Sequence, residues 1–134
     1  MVEQFVGTWK MTFSENFGEF LKLLGVPAAQ RQMANKQKPI FSLSVDDQGT
    51  ITMQSLSIFK VTELKFKLNE PFDETTMQNK QATTVVTLEN GKLIQNHTWD
   101  GGELRVEREI LDGKMIVKSI MGNAVAMKTY EKEA

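Results

Sequence analysis

Residues 85–94 read VVTLENGKLI, a pattern that predicts two antiparallel strands joined by a two-residue turn. Asn90-Gly91 suits a type I′ turn, because that turn needs positive φ at both central positions. Asp112-Gly113 repeats the signal between 106–111 and 115–121. From Pro39 onward, turn signals recur at intervals of about 8–12 residues, the rhythm of an antiparallel meander. A long meander leaves unpaired edges unless it closes, so the sequence predicts a β-barrel.

The residues before Pro39 have helical spacing instead. Four apolar residues fall on one stripe at i, i+3, i+4 and i+7: Phe17, Phe20, Leu21 and Leu24. Ser14 or Asn16 is placed to cap this helix, and Gly25 to end it. Pro27 can open a second helix, which Pro39 prevents from continuing. A helix–turn–helix lying across one end of the barrel is therefore expected.

Composition limits the classes of function. The chain has 134 residues and a net charge of −1, which suits one domain, 1–134, without a general attraction to nucleic acid. It has no cysteine, so disulfides, thiolate nucleophiles and zinc–thiolate sites are excluded. No glycine-rich phosphate loop or Gly-x-Ser-x-Gly motif is present. His97 is the single histidine and is expected to be a wall residue. We expect a binding protein, not an enzyme, with no metal and no cofactor.

The amino terminus lacks the features of targeting signals. It has no basic segment followed by an apolar run, and Val2 stands where a myristoylation signal needs glycine. No stretch approaches the roughly 18 apolar residues of a membrane span. The expected location is the cytoplasm, and also the nucleus.

The alternation in residues 103–110 places a cation on an apolar face. The odd positions are all charged, whereas Leu104, Val106, Arg108 and Ile110 share the other face. An arginine among aliphatic residues is costly unless an anion meets it. The inward face of 93–99 is also partly polar, since it carries Gln95 and His97. The sequence thus predicts a water-filled cavity with an anion-binding site.

The last strand carries a second candidate cation. Ala124, Ala126, Lys128 and Tyr130 share one face of it. The opposite face, from Val125 to Thr129, is also apolar, so the pattern alone leaves the orientation of this strand open.

Short motifs along almost the whole chain resemble those of one known family. They are FVGTWK at 5–10, ENF at 15–17, KP at 38–39, SIFK at 57–60, FKL at 66–68, FDETT at 72–76, WDG at 99–101, DGK at 112–114 and TYEK at 129–132. In their order and spacing the sequence resembles the intracellular lipid-binding proteins, and among them the heart-, adipocyte- and myelin-type fatty acid-binding proteins.

The resemblance implies a mainly β fold, a ten-stranded antiparallel up-and-down β-barrel (β-clam) with a helix–turn–helix lid. It also implies reversible binding of long-chain fatty acids, with the carboxylate held by two arginines and a tyrosine. Arg108 and Tyr130 fall on two of those positions. Lys128 takes the place of the second arginine, and an ammonium group is a point charge without the bidentate fork of a guanidinium.

The same resemblance implies contacts to the ligand tail. Phe59 is the candidate gate at the portal. The other candidates are apolar or small: Phe17, Phe20, Leu21, Val26, Ala34, Met53, Ser55, Val117, Ser119 and Ala126.

Three cations without an acid lie in the second helix and just after it: Arg31, Lys36 and Lys38. On a lid, such a patch could touch an anionic bilayer and transfer ligand there, or the side chains could simply be solvated. A monomer is expected.

Other functions on the same fold stay open. Retinoic acid shares the carboxylate, whereas retinol-type relatives carry glutamines where the cations lie. A retinal held as a Schiff base on Lys128 would need a buried, deprotonated lysine. A membrane-stacking role is a further alternative.

Overall fold

The computed structural model describes residues 2–23, 25–29, 31–32, 38–56, 61–75 and 81–133. A short 3-10 helix, Val2–Phe5, is followed by strand β1 (Gly7–Glu15) and helix α1 (Phe17–Leu23). The remaining strands are β2 (Ile40–Val45), β3 (Ile51–Leu56), β4 (Val61–Phe66), β5 (Phe72–Thr75), β6 (Gln81–Glu89), β7 (Lys92–Trp99), β8 (Gly102–Leu111), β9 (Lys114–Met121) and β10 (Ala124–Lys132).

Ten strands form one sheet in the order β4-β3-β2-β1-β10-β9-β8-β7-β6-β5. Every pair is antiparallel, and β1 pairs with β10, which brings the two ends of the meander together. In the part of the chain that the structure describes, no ladder joins β4 to β5. The barrel is therefore nearly closed, and the predicted ten-stranded up-and-down fold is confirmed.

The two predicted type I′ turns are present. Asn90 and Gly91 have φ values of 53° and 81°, and Asp112 and Gly113 have φ values of 53° and 78°. An asparagine or aspartate followed by glycine adopts this left-handed geometry at low cost, which explains why these turns could be recognised.

Helix α1 begins and ends at the predicted residues. The Gly25 N–H donates to the Lys22 carbonyl and the Val26 N–H to that of Leu21, which is a Schellman motif with Gly25 at a φ of 82°. Of the two predicted caps, Asn16 is the residue directly before the helix, and its main-chain carbonyl accepts from the Phe20 N–H at 3.2 Å. Within the described residues, its side chain does not bond the first turn. Asn16 has a φ of 63°, and its Nδ2 donates to the carbonyl of Val125 at 2.9 Å.

The second predicted helix is described in part. Residues 28–29 and 31–32 are helical, and the Arg31 N–H donates to the Pro27 carbonyl at 3.0 Å. Leu24 and 33–37 lie outside the described residues. No described helix has the length and apolar character to span a bilayer.

The apolar side chains form two clusters at opposite ends of the barrel. The larger one, which we call the floor, fills the end away from α1 and includes Phe5, Trp9, Ile51 and Met115. The Trp9 indole donates to the Phe5 carbonyl at 3.0 Å and ties the 3-10 helix to this end. The smaller one packs Phe20 and Leu21 of α1 on Ala126. Between them lie the inward polar residues of β7, β8 and β10.

Candidate ligand-binding site

Arg108 lies inside the barrel, as the alternation of β8 predicts. Its neighbours on that face, Leu104, Val106 and Ile110, belong to the floor or pack against it. The Arg108 Nη1 donates to the Gln95 Oε1 at 2.8 Å, and the guanidinium carbon lies 4.9 Å from the Phe41 ring centroid. The Nε atom is buried and has no hydrogen-bond partner in the described structure. A buried donor without an acceptor is costly, so this N–H suits an incoming anion.

Lys128 lies on the same inner face as Arg108, with strand β9 between them. Both residues pair with Val117 of β9, so their backbones are separated by two strand spacings, or roughly 10 Å. The Lys128 Nζ lies 3.7 Å from the ring centroid of Phe17, at the start of α1. No described carboxylate forms an ion pair with Lys128. The pairing of β9 with β10 shows which face of β10 points inward, a question that the sequence pattern left open.

Tyr130 completes a group of three polar side chains. It is 7% exposed, and its ring meets the Phe41 ring edge-on, with the centroids 6.3 Å apart. Phe41 therefore contacts both Arg108 and Tyr130 and supports them from β2. Arg108, Lys128 and Tyr130 are called the anchor cluster below.

Burial sets the protonation of the anchor cluster. It lowers the pKa of Arg108 to about 10, so the guanidinium stays charged at neutral pH. Burial, with the nearby charge of Arg108, lowers the pKa of Lys128 to about 8. Burial also raises the pKa of Tyr130, so its phenol keeps its proton. The cluster thus offers one fixed positive charge, one titratable positive charge and one O–H donor.

The two cations are enclosed but remain partly accessible. Arg108 and Lys128 are enclosed by the barrel deeply enough for desolvation to shift their pKa values. Both nevertheless keep part of their surface accessible to water. The two cations are therefore desolvated but not sealed off from water.

The other predicted contacts divide between the two ends of the barrel. Phe17, Phe20, Leu21, Val26 and Ala126 belong to the smaller cluster, where α1 packs on the barrel. Met53 and Val117 belong to the floor, and the partly buried Ser55 and Ser119 sit at inward positions of β3 and β9. Ala34 and Phe59 lie outside the described residues.

A second inward polar group was not predicted. The His97 Nδ1 donates to the Glu74 Oε1, and the Thr84 Oγ1 donates to the same oxygen at 2.5 Å. Burial alone would raise the pKa of Glu74, but the hydrogen bonds from His97 and Thr84 outweigh it, and the pKa is lowered. His97 is a satisfied wall residue, as expected. Glu74 could not be found from the sequence, because its strand has only four residues.

Glu74→Ala should destabilise the fold by about 1–3 kcal/mol, because His97 and Thr84 lose their shared acceptor. Urea unfolding at pH 7 would measure the loss. The folded pKa lies below the ordinary 4.5, so the stabilisation is full above that pH and is lost as pH falls through the folded value. Asp73→Ala, on the exposed face of the same strand, is the matched control. Equal losses in the two variants would contradict this role.

Two further features fall outside the anchor cluster. A groove of about 450 Å³ on the outer surface is lined by residues of β5–β7, among them Asp73, Thr83 and Thr98, and contains no anchor residue. Within the described ranges, no group of three or more histidine and acidic side chains could hold a metal ion.

The predicted basic patch is described in part. Lys38 is exposed. The Arg31 Nη1 donates to the Val26 carbonyl at 2.6 Å, so part of that side chain braces the turn after α1. Lys36 lies outside the described residues.

Comparison with known proteins agrees with this geometry. Residues 6–133 match the model of the lipocalin / cytosolic fatty-acid binding protein family. Human fatty acid-binding protein 9 is 46% identical over 98% of this chain and 99% of its own length. The adipocyte fatty acid-binding protein of Pygoscelis papua is 42% identical over 98% of this chain and 99% of its own length. The solved Schistosoma mansoni fatty acid binding protein in complex with arachidonic acid is 30% identical, with a TM-score of 0.91, over 99% of this chain and 98% of its own. These relatives are binding proteins, which confirms the prediction of a non-enzymatic function.

Proposed function

Because this chain belongs to the lipocalin / cytosolic fatty-acid binding protein family, we propose that it reversibly binds long-chain fatty acids inside the barrel and carries them. The observation that carries the proposal is the buried, unpartnered Nε of Arg108, which faces the interior beside a second cation. In this assignment Arg108, Lys128 and Tyr130 hold the carboxylate. The names of the relatives support the ligand class.

The energetics divide between tail and head group. Burying the acyl chain contributes about 0.8 kcal/mol per CH₂, which supplies most of the affinity. A carboxylate at the anchor cluster gains charge-assisted hydrogen bonds and removes the cost of two unpaired interior cations. We therefore assign most of the affinity to burial of the acyl chain, and the selectivity for a carboxylic acid to the anchor cluster.

A displacement titration with a fluorescent fatty acid tests the proposal. Oleate should compete strongly, its methyl ester weakly, and retinol more weakly than retinoic acid. If oleate and its ester compete equally, the anchor cluster does not hold a carboxylate. If retinoic acid displaces the probe better than oleate, the chain is a retinoid carrier on the same fold.

We also propose that the cargo is delivered to anionic membranes, or to partner proteins, through the basic patch. The exposed position of Lys38 supports this. Lys36→Glu with Lys38→Glu should slow fatty acid transfer to anionic vesicles by roughly an order of magnitude, since a lysine near such a surface contributes about 1 kcal/mol. Transfer to zwitterionic vesicles should change little.

The control for this prediction is Lys114→Glu, at the β8–β9 turn. Strand directions place that turn at the end of the barrel away from α1. Equal slowing by this variant would indicate a general effect of charge, and unchanged transfer in the Lys36/Lys38 variant would exclude the patch.

We propose that residues 1–134 act as one domain and as a monomer in the cytoplasm, with a nuclear pool. The paired β1 and β10 support the monomer, since only β4 and β5 lack a second neighbour among the described strands. Size-exclusion chromatography with light scattering tests the oligomeric state.

A further inference from the structure

Lys128 has an unusual position for a lysine. Its amine lies inside the barrel against the Phe17 ring, and strand β9 separates its strand from that of Arg108. It has no carboxylate partner among the described residues. Desolvation and a neighbouring cation are the two conditions that turn a lysine amine into a nucleophile. Both conditions are met in the space where the ligand is proposed to lie.

We propose that Lys128 captures long-chain aldehydes covalently, by forming an imine between its Nζ and the aldehyde carbon. This inference rests on the proposed function, because it places the aldehyde chain where the fatty acid chain would lie. The aldehyde carbon then takes the position assigned to the carboxylate carbon.

The reaction is balanced without any further reagent. The Nζ lone pair adds to the carbonyl carbon and gives a carbinolamine. The carbonyl oxygen then leaves as water with the two amine protons, and a C=N bond replaces the C=O bond. No oxidant or reductant is consumed, and hydrolysis reverses the capture.

The surroundings distinguish Lys128 from the surface lysines. Ser14 of β1 and Val117 of β9 pair with it, Phe17 packs on it from α1, and none of the three side chains titrates. The titratable groups nearby are Arg108 and Tyr130. With a pKa of about 8, roughly a fifth of the Lys128 amines are neutral at pH 7.4, against about one in a thousand for an ordinary lysine.

The test is to incubate the full-length protein with hexadecanal and reduce it with cyanoborohydride. Intact mass and peptide mapping then locate the adduct. We expect one adduct per chain, on the peptide that contains Lys128, suppressed by excess oleate. At pH 7.4 the adduct should form faster on Lys128 than on the surface lysines, because a larger fraction of its amine is neutral.

Lys128→Arg keeps the positive charge and should lower adduct formation at least tenfold. Lys10→Arg, on an exposed position of β1, should leave it unchanged. Adducts spread over surface lysines, or equal in the two variants, would overturn the proposal. Peptide mapping of the parent decides the point even if a variant does not fold.

An oleate titration of the same parent sample separates the two proposals. Oleate binding without an adduct on Lys128 would reject aldehyde capture and leave the fatty acid carrier standing. An adduct on Lys128 in a protein that does not bind oleate would support aldehyde capture and reject the carrier.

Discussion

Arg108→Gln should weaken oleate binding by about 10- to 100-fold, the equivalent of losing hydrogen bonds to a charged group. Arg108 is the fixed charge of the anchor cluster, because its pKa stays at about 10 despite burial. Glutamine keeps a polar side chain near Gln95 but cannot supply a charge. The measurement is the displacement titration, repeated with the methyl ester, whose affinity should change much less.

Arg105→Gln is the matched control for this variant. Arg105 points outward from the same strand, and its Nε donates to the Glu107 Oε2 at 2.7 Å. Its replacement should leave oleate affinity within about twofold, since surface ion pairs contribute little. The ligand-free Arg108→Gln protein should be at least as stable as the parent, because it no longer buries an uncompensated charge. Equal losses of oleate affinity in both variants would refute the role of Arg108.

Oleate affinity of the parent should fall as pH rises through about 8. Lys128 binds a carboxylate only while protonated, and its pKa in the free protein is about 8. The attraction is therefore complete below that pH and is lost above it. A bound carboxylate raises the pKa of the lysine, so the loss is progressive, at most about tenfold per pH unit. Dissociation constants between pH 6.5 and 9.0 would measure it, a range in which Arg108, with a pKa of about 10, stays at least about nine-tenths charged.

Lys128→Arg should flatten this pH dependence, because a guanidinium keeps its proton to higher pH than an ammonium group does. It should also bind oleate more tightly than the parent at pH 9, since the fork can hold both carboxylate oxygens. A fall in affinity with the same slope in both proteins would show that another group titrates.

The barrel and one of the three anchor residues, Arg108, could be predicted from local patterns. The Asn90-Gly91 and Asp112-Gly113 turns need a special backbone geometry that few residues accept, so they mark strand ends directly. The charged and apolar alternation of 103–110 placed Arg108 inside without any knowledge of its neighbours. The inward orientation of Lys128 was harder to predict from the pattern, because both faces of β10 are apolar and only the pairing with β9 distinguishes them.

What could not be predicted depends on contacts between distant parts of the chain. The support of Arg108 and Tyr130 by Phe41 joins β2 to β8 and β10. The stacking of Lys128 on Phe17 joins β10 to α1. The hydrogen bond from the Asn16 Nδ2 to the carbonyl of Val125 joins residues equally distant in sequence. Periodicity describes one segment at a time and carries no information on such pairs.

The pairing of β1 with β10 has a kinetic consequence. Trp9 lies opposite Lys132 in that ladder, so nearly the whole chain must be organised before the ladder can form. Such non-local pairing carries a large loop-closure entropy and makes folding slow. Two anchor residues, Lys128 and Tyr130, are on β10. An open intermediate that lacks this ladder therefore has an incomplete anchor cluster. If the cluster holds the carboxylate as proposed, fatty acid should slow unfolding without accelerating folding.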